Sequence, residues 1–280
     1  MKPAAFEFFS PQSLDEALSL LSEYQENARV LAGGQSLVPL MNLRLAAPGV
    51  LIDLNRVEGL TGIHTDGPRL RIKAMTRQQE LIDHPLVAEH APLLAAAARC
   101  VGHVQTRSRG TIGGSLAHAD PSAELPVALV ALDAQLEVRS SRGMRAVPAR
   151  RFARDALVND LEPDEVLIEI AIPSTRASAR VSFRELSRRH GDFAIVAVAA
   201  QYDADNLSIA IGGLEAVPRL CTQLMDTLRA QGFSRAGIEA GIERELAGVT
   251  PNEDLQASGE YRRQLARVVL HDCLREVLPA

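Results

Sequence analysis

The chain lacks tryptophan altogether, and aromatic residues make up only 4% of its 280 residues. Proteins that bind single-stranded nucleic acid stack bases on aromatic side chains, so this deficit disfavours that class. A basic excess is also missing, because the net charge is −5. Nucleic-acid surfaces normally carry clustered Lys and Arg. We therefore expect no nucleic-acid partner.

Cysteine is scarce, with three residues at Cys100, Cys221 and Cys273. None belongs to a Cys-x-x-Cys pair, so the sequence encodes neither a zinc site nor an iron–sulfur cluster. We expect the three thiols to be small buried apolar groups. His118 and Asp120 lack the spacing of a metal-binding motif, and no metal site is expected.

No apolar run approaches the roughly 20 residues that span a bilayer. The N-terminus also lacks the charged lead, apolar core and cleavage site of a secretory signal. With 46% hydrophobic and 23% charged residues, the composition is that of a globular protein. The length is sufficient for two domains. We expect a cytoplasmic protein without membrane insertion.

Two glycine pairs stand out in what the sequence does contain. The first lies in Val-Leu-Ala-Gly-Gly-Gln-Ser-Leu at residues 30–37, and the second in Arg-Gly-Thr-Ile-Gly-Gly-Ser-Leu at residues 109–116. Glycine has no Cβ, so such segments are predicted to turn sharply and approach a ligand closely. Hydroxyl groups and backbone N–H groups beside them are short donors suited to phosphate. The two segments are predicted to hold two parts of one long ligand.

Residues for independent catalysis are scarce. Ser36 and Ser115 lie beside glycines, but neither occurs in a Gly-x-Ser-x-Gly elbow with downstream Asp and His, which disfavours a hydrolase. Neither glycine pair matches the dinucleotide fingerprint or the P-loop. We expect no catalytic residue. Two interpretations stay open: a phosphate-bearing redox cofactor held by backbone amides, and a purely structural pair of turns.

Apolar periodicity predicts two regions of different architecture. Strand–turn–helix–strand order over residues 29–54 is typical of an α/β unit. Further strands and helices are predicted at residues 70–75, 86–101, 123–132, 135–139 and 165–172. The polar segment 173–178 is the predicted joint between domains.

Beyond this joint, three strands precede three helices. The strands are predicted at residues 180–186, 194–202 and 207–212, and the helices at residues 219–230, 235–246 and 261–278. Residues 203–206 favour a turn between the last two strands. This order is typical of a small antiparallel sheet covered by helices.

The glycine-rich segments resemble the signature loops of a known family, the FAD-binding medium subunits of molybdenum hydroxylases. This family includes the medium subunits of xanthine dehydrogenase and aerobic carbon monoxide dehydrogenase. Ala-Gly-Gly-Gln-Ser-Leu-Val-Pro at 32–39 and Thr-Ile-Gly-Gly-Ser at 111–115 carry the resemblance. It continues at residues 118–126, 172–173, 191–194 and 258–262, and covers essentially the whole chain.

The resemblance implies an α+β fold. Residues 1–174 would form an FAD-binding domain of the PCMH type, made of two α/β subdomains. Residues 178–280 would form a smaller domain with a three-stranded antiparallel sheet and helices. The change of pattern near residue 174 agrees with this division.

The resemblance also implies which residues contact FAD. The first loop would hold the diphosphate at a helix N-terminus, through Leu31, Ala32, Gly33, Gly34, Gln35, Ser36, Leu37 and Val38. The second would meet the other side of the diphosphate and the ribityl chain, through Thr111, Ile112, Gly113, Gly114 and Ser115. Further contacts are expected from Val101, Asp120, Glu124, Leu167, Arg184 and Phe193.

Four of these positions depart from the residues common in the family. Gln35 replaces His or Asn, and Ser115 replaces Asn, with hydrogen bonding retained. Arg184 stands where Lys is frequent, which keeps the charge but changes its reach. Phe193 stands where Tyr is frequent, so a hydroxyl donor near the isoalloxazine ring is lost.

The function that the resemblance implies is electron relay. A molybdopterin-binding large subunit would oxidise a substrate, and a small subunit with two [2Fe–2S] clusters would pass electrons to FAD on this chain. FAD would deliver them to NAD, quinone or oxygen. The alternatives are a stand-alone FAD-dependent oxidase or dehydrogenase, with His118 or His190 as its base, and a cofactor-free assembly protein of the same fold.

Overall fold

The computed structural model of the chain describes residues 2–203 and 206–279. Its strands are β1 (Glu7–Phe9), β2 (Ala28–Leu31), β3 (Val50–Asp53), β4 (Ile63–Asp66), β5 (Arg69–Lys73), β6 (Gln135–Ser140), β7 (Gly143–Pro148), β8 (Ala153–Asp155), β9 (Val158–Asn159), β10 (Val166–Pro173), β11 (Arg180–Leu186), β12 (Val196–Asp203), β13 (Asn206–Gly212) and β14 (Arg219–Leu220). Its α-helices are α1 (Leu14–Tyr24), α2 (Leu37–Asn42), α3 (Gln78–Asp83), α4 (Pro85–His90), α5 (Pro92–Cys100), α6 (Val104–Arg107), α7 (Ile112–His118), α8 (Glu124–Ala131), α9 (Ala149–Phe152), α10 (Thr222–Gln231), α11 (Arg235–Ala247) and α12 (Gly259–Val277).

The first sheet is parallel, with strand order β1–β3–β2. The central strand β3 is apolar, and its residues Val50, Leu51 and Ile52 are buried. Helix α1 begins at a Ser13 cap, whose hydroxyl accepts a hydrogen bond from the N–H of Glu16 at 3.2 Å. The parallel pairing of β2 with β3 confirms the predicted α/β unit. It also puts the residues that follow β2 at the carboxyl edge of the sheet.

The second sheet has the order β4–β5–β10–β6–β7, and its neighbouring strands are antiparallel. Its central strand β10 contributes to two cores. Ile170 and Ile172 pack with the helices over this sheet, whereas Val166 and Ile168 pack with the core of the first sheet. A β-bulge at residues 167–169 shifts the alternation of side chains by one position.

The third sheet is antiparallel, with the order β11–β12–β13–β14. The three predicted strands are present, and a two-residue strand, Arg219–Leu220, is added at one edge. Because these residues pair with β13, helix α10 begins at Thr222 and not at Arg219 as predicted. Helices α10 to α12 bury one core with this sheet. The predicted turn includes Ala204 and Asp205, which lie outside the described residues.

The helix predicted over residues 86–101 is divided in two. Helix α4 ends at His90 and α5 begins at Pro92. Proline lacks an N–H group and disfavours the helical conformation in the residue before it. Ala91 accordingly has φ −146° and lies outside both helices. The prediction of one helix was therefore wrong at this proline.

The three cysteines are free thiols. Cys221 and Cys273 are buried, as expected, whereas Cys100 is partly exposed. Burial nevertheless raises the pKa of Cys100 to about 12, so this thiol stays protonated at neutral pH. Among the described residues, no helix combines the length and the apolar character that crossing a bilayer requires.

Arg262 of α12 is buried and makes three hydrogen bonds with other segments of the C-terminal region. Its Nη1 donates to the carbonyl oxygens of Ile195 and Gly213 at 2.6 and 2.8 Å, and its Nη2 pairs with Asp254 at 2.6 Å. Arg262→Met removes these donors and leaves buried acceptors unpaired. We expect the free energy of unfolding to fall by about 3 kcal/mol, measured by chemical denaturation.

Arg267→Met on the same helix is the matched control, because its ion pair with Glu243 is exposed. Exposed pairs contribute less than about 1 kcal/mol. Equal losses in the two variants would contradict a special role for the buried guanidinium.

Candidate functional site

The first glycine-rich loop leads from β2 into α2 at the carboxyl edge of the first sheet. Gly34 has φ 72°, in the left-handed region that glycine adopts without strain. Within the described chain, the backbone N–H groups of residues 33–37 donate no hydrogen bond. Five consecutive unpaired donors suit an anion such as a diphosphate.

The second glycine pair is not the turn that its sequence predicted. Gly113 and Gly114 lie in the first turn of α7, and neither has a positive φ. Thr111 caps this helix, and its hydroxyl accepts a hydrogen bond from the N–H of Gly114 at 3.0 Å. Glycine is required at 113 for a different reason: a Cβ there would lie 2.6 Å from the Cβ of Ala74.

The backbone donors of this second segment are already used. The N–H groups of Ile112 and Gly113 donate to the carbonyl oxygens of Thr76 and Ala74 at 3.1 and 2.8 Å. The N–H of Ser115 donates to the Thr111 carbonyl at 3.1 Å, in the first helical turn. The segment therefore offers a ligand its hydroxyl groups, while the first loop offers backbone donors.

The two glycine-rich segments contact each other directly. A Cβ on Gly33 would overlap the carbonyl oxygen of Arg109 and lie 2.7 Å from the Cα of Gly110. A Cβ on Gly114 would lie 3.4 Å from the Cβ of Ala32. The structure thus brings together the two segments that the sequence paired as parts of one site.

Two residues absent from the predicted site bridge these segments. The Asn55 side-chain amide donates to the carbonyl oxygen of Ala32 at 2.8 Å. Arg77 donates from Nη2 to Asn55 Oδ1 at 2.7 Å and from Nη1 to the carbonyl oxygen of Arg109 at 2.5 Å. Asn55 could have been predicted from the sequence, because it lies just beyond the carboxyl end of β3. Ligands bind at this edge in α/β sheets.

A second group of predicted residues lies where α5, α8 and β11 pack together. Val101 follows α5 and is buried, and Glu124 opens α8 with only 4% of its surface exposed. Phe193 is 51% exposed. Two residues before it, Gly191 packs on the ring of His103, where a Cβ would lie 2.5 Å from Cε1. This contact holds the segment of Phe193 beside the end of α5.

The buried carboxyl of Glu124 has an acidic neighbour, Glu185 of β11, which was not predicted. Burial raises the pKa of Glu124 to about 7, and the nearby charge of Asp120 adds to the effect. Burial and the charge of Glu124 raise the pKa of Glu185 to about 8. Its Oε2 atom is buried without a hydrogen-bond partner among the described residues. At neutral pH, Glu185 is therefore mostly protonated and Glu124 is ionised only in part.

Other predicted residues lie apart from the loops or are engaged elsewhere. Arg184 alternates with Glu185 along β11, and its guanidinium pairs with Glu276 of α12, with Nε 2.9 Å from Oε1. The structure therefore does not bring the Arg184 side chain to the loops. Leu167 is buried in the core of the second sheet. Asp120 accepts a hydrogen bond from the N–H of Ser122 at 2.8 Å, in the turn before α8.

Among residues 2–203 and 206–279, no three His, Cys, Asp or Glu side chains are grouped so as to hold a metal ion.

Comparison with known proteins identifies the family. A family model described as the FAD binding domain in molybdopterin dehydrogenase matches residues 4–175. The chain belongs to this family. A second model, the CO dehydrogenase flavoprotein C-terminal domain, matches residues 181–277. FAD is thus the cofactor of this molybdopterin dehydrogenase flavoprotein.

Individual relatives match along nearly the whole chain. The 6-hydroxypseudooxynicotine dehydrogenase complex subunit alpha of Paenarthrobacter nicotinovorans is 36% identical over 286 residues, covering 99% of this chain and 96% of the relative. The carbon monoxide dehydrogenase medium chain of Hydrogenophaga pseudoflava is 35% identical over 271 residues, covering 95% and 94%.

A solved structure of carbon monoxide dehydrogenase from Hydrogenophaga pseudoflava superposes with a TM-score of 0.96 at 33% identity, covering 99% of this chain and 98% of that one. These matches confirm the predicted family, the α+β fold with an FAD-binding region before a small C-terminal domain, the cofactor, and membership among oxidoreductase subunits.

Gly33→Ala tests the contact between the two loops. The added methyl group would overlap backbone atoms of Arg109, which cannot move without displacing α7. We expect FAD affinity to fall about 10-fold or more, since a loss of 1.4 kcal/mol in binding is already tenfold. Affinity is measured by titrating the FAD-free chain with FAD and following flavin fluorescence.

Gly248→Ala is the control for this prediction. The nearest atom to a Cβ there is 3.9 Å away, and the backbone φ is −90°. It should bind FAD like the wild type. Wild-type affinity in Gly33→Ala would show that the close approach is not needed.

The Glu124–Glu185 pair predicts a pH dependence of stability. Both folded pKa values, about 7 and about 8, lie above the ordinary value near 4.3. Their stabilising contribution is therefore complete below about pH 4 and is lost as the pH rises through both folded values. Between pH 5 and pH 8, the free energy of unfolding should fall less in Glu185→Gln than in the wild type. Chemical denaturation at each pH measures this difference.

Glu58→Gln, a change at an exposed position, should leave the wild-type pH profile unaltered. Parallel profiles for Glu185→Gln and the wild type would contradict the raised pKa values.

Proposed function

We propose that this chain is the FAD-binding subunit of a molybdenum hydroxylase complex. It relays electrons from [2Fe–2S] clusters of a partner subunit to an external acceptor. The observation that carries this proposal is the run of unpaired backbone N–H groups at residues 33–37, packed against a second glycine-rich segment. A diphosphate needs several donors at one place, and this loop supplies them without a charged side chain.

The residues present fit the cofactor. The first loop, from Leu31 to Val38, would bind the diphosphate through its backbone donors. In the second segment, Thr111 and Ser115 would add hydroxyl contacts. The Thr111 hydroxyl accepts from Gly114, so its own proton stays free to donate to a ligand. The glycines there allow the close packing against Ala74 and Ala32 that holds the segment beside the first loop.

The second group would lie along the rest of the cofactor. Val101 and Phe193 offer apolar surface, and Asp120 and Glu124 supply polar groups. Leu167, which is buried in the core of the second sheet, would act through the packing of that core. Arg184 is not included, because its guanidinium pairs with Glu276. The exposed Phe193 ring has no hydroxyl, so this position contributes shape and not a hydrogen bond.

When bound, FAD accepts and releases electrons singly or in pairs, which suits a relay between one-electron clusters and a two-electron acceptor. The chain's own residues bind and orient the cofactor. Its three cysteines lie far apart in the sequence, so the clusters would belong to a partner. The relatives' names support an assembly, since one is a complex subunit and another a medium chain.

The partners would be a molybdopterin-binding large subunit and a [2Fe–2S] small subunit. We also propose that the chain divides into domains at residues 174–178, between β10 and β11, and that the protein is cytoplasmic. Two alternatives make different demands. A stand-alone FAD-dependent oxidase needs a base of its own, and a cofactor-free assembly protein needs no FAD.

Purification of the chain alone, with FAD added and excess removed, tests the proposal. We expect stoichiometric flavin and no aerobic turnover of small substrates. With substrate, the large subunit and the small subunit present, acceptor reduction should stop when this chain is omitted and resume when it is restored. A chain that takes up no FAD would favour the assembly protein. Turnover by this chain alone would favour the oxidase.

A further inference from the structure

The segment that follows β3 holds the first glycine-rich loop through a side-chain hydrogen bond. Asp53 Oδ1 accepts hydrogen bonds from the backbone N–H of Asn55, at 3.0 Å, and from its side-chain amide. The same amide nitrogen donates to the carbonyl oxygen of Ala32 at 2.8 Å. Asp53 thus fixes the Asn55 side chain with its amide nitrogen on the loop and its oxygen turned towards Arg77.

The guanidinium of Arg77 completes the connection. It donates to Asn55 Oδ1 at 2.7 Å and to the carbonyl oxygen of Arg109 at 2.5 Å. The backbone of Arg77 is itself paired with Thr111 across a β-bridge. The Arg77 side chain therefore connects the second glycine-rich segment to Asn55, which in turn holds the first loop.

Hydrogen bonds on both sides of this β-bridge hold the backbone of Arg77 to the second glycine-rich segment. The N–H of Gln78 donates to the Gly110 carbonyl at 2.9 Å, and the N–H of Ile112 donates to the Thr76 carbonyl at 3.1 Å. Arg77 cannot shift without the second segment shifting too. Its planar, forked guanidinium can serve two acceptors at once in a fixed geometry.

The charge of Arg77 adds to this arrangement. Burial lowers the pKa of Arg77, and the like charge of Arg109 lowers it further, against the opposing charges of Glu80 and Asp53. Arginine nevertheless stays protonated in proteins. The like charges of Arg77 and Arg109 therefore favour an anionic ligand, such as a diphosphate, near this connection.

We propose that Arg77 and Asn55 are positioning residues for FAD, which lock the first glycine-rich loop against the second and so aim the donors of residues 33–37. This inference rests on the proposed function, because it deepens the same site. Neither residue is required to touch the cofactor. Without them, the loop samples orientations in which its donors no longer converge, and binding must restore the order.

The test compares FAD affinity among variants of the full chain. Arg77→Met removes the fork at similar length, and Arg77→Lys keeps the charge but cannot serve both acceptors in the same plane. We expect the FAD dissociation constant to rise about 10-fold or more in Arg77→Met and less in Arg77→Lys. Asn55→Ala should resemble Arg77→Met, since it breaks the same connection. Arg56→Met, an exposed neighbour with the same charge change, should bind like the wild type.

Amide hydrogen exchange separates positioning from general destabilisation. With saturating FAD, the amides of residues 33–37 should be protected in the wild type and exchange faster in Arg77→Met. Amides of β12 and β13 in the third sheet should be unchanged. A global loss of stability would instead speed exchange in all sheets, and that outcome overturns the proposal.

Wild-type FAD affinity in Arg77→Met, or an equal loss in Arg56→Met, also overturns it. Failure of the wild type itself to bind FAD is a separate result, which contradicts the proposed function and with it this inference. The two failures are therefore distinguishable by the behaviour of the wild type.

Discussion

The close approach of two backbones is the constraint on which the site depends. Gly33 lies so near the carbonyl of Arg109 that no side chain fits between them. This contact fixes the distance between the edge of the parallel sheet and the start of α7. The unpaired donors of the first loop and the hydroxyls of the second segment then share one location. Hydrogen bonds through Asn55 and Arg77 connect the same two backbones, at the carbonyl oxygens of Ala32 and Arg109.

The two glycine-rich segments differ in which of their backbone N–H groups can donate to a ligand. The N–H groups of Ile112 and Gly113 donate to the carbonyls of Thr76 and Ala74, and those of Gly114 and Ser115 donate to Thr111, so the second segment has used its backbone donors. Among residues 2–203 and 206–279, the N–H groups of residues 33–37 in the first loop have no hydrogen-bond acceptor. A segment whose backbone donors are already used therefore lies against a loop that can donate to a ligand. The buried Glu124 and Glu185 lie where the N-terminal helices meet the third sheet, so an ionisable pair marks the junction between these parts of the chain.

Much of the fold followed from the sequence, because strand and helix periodicities are local signals. The strand at 180–186 and the α/β unit were predicted within a residue or two. The pairing of the two glycine segments also followed from their similar composition, and the family resemblance then implied FAD as the ligand. The helical conformation of Gly113 and Gly114 was missed, because a glycine pair is ordinarily a turn signal. Asn55 and Arg77 were missed because their roles arise from tertiary contacts between distant segments, and the position of Arg184 depends on which face of β11 meets α12.

The bulge in β10 governs how the N-terminal region behaves as a unit. With its extra residue, Ile168 faces the first sheet's core, while Ile170 and Ile172 face the core of the second. If residues 166–172 alternated regularly, without the bulge, Ile168 would lie on the same face as Ile170, and the first core would lose a branched side chain. The two cores would then share less of a common strand and unfold less cooperatively. The bulge therefore lets one strand contribute side chains to both cores.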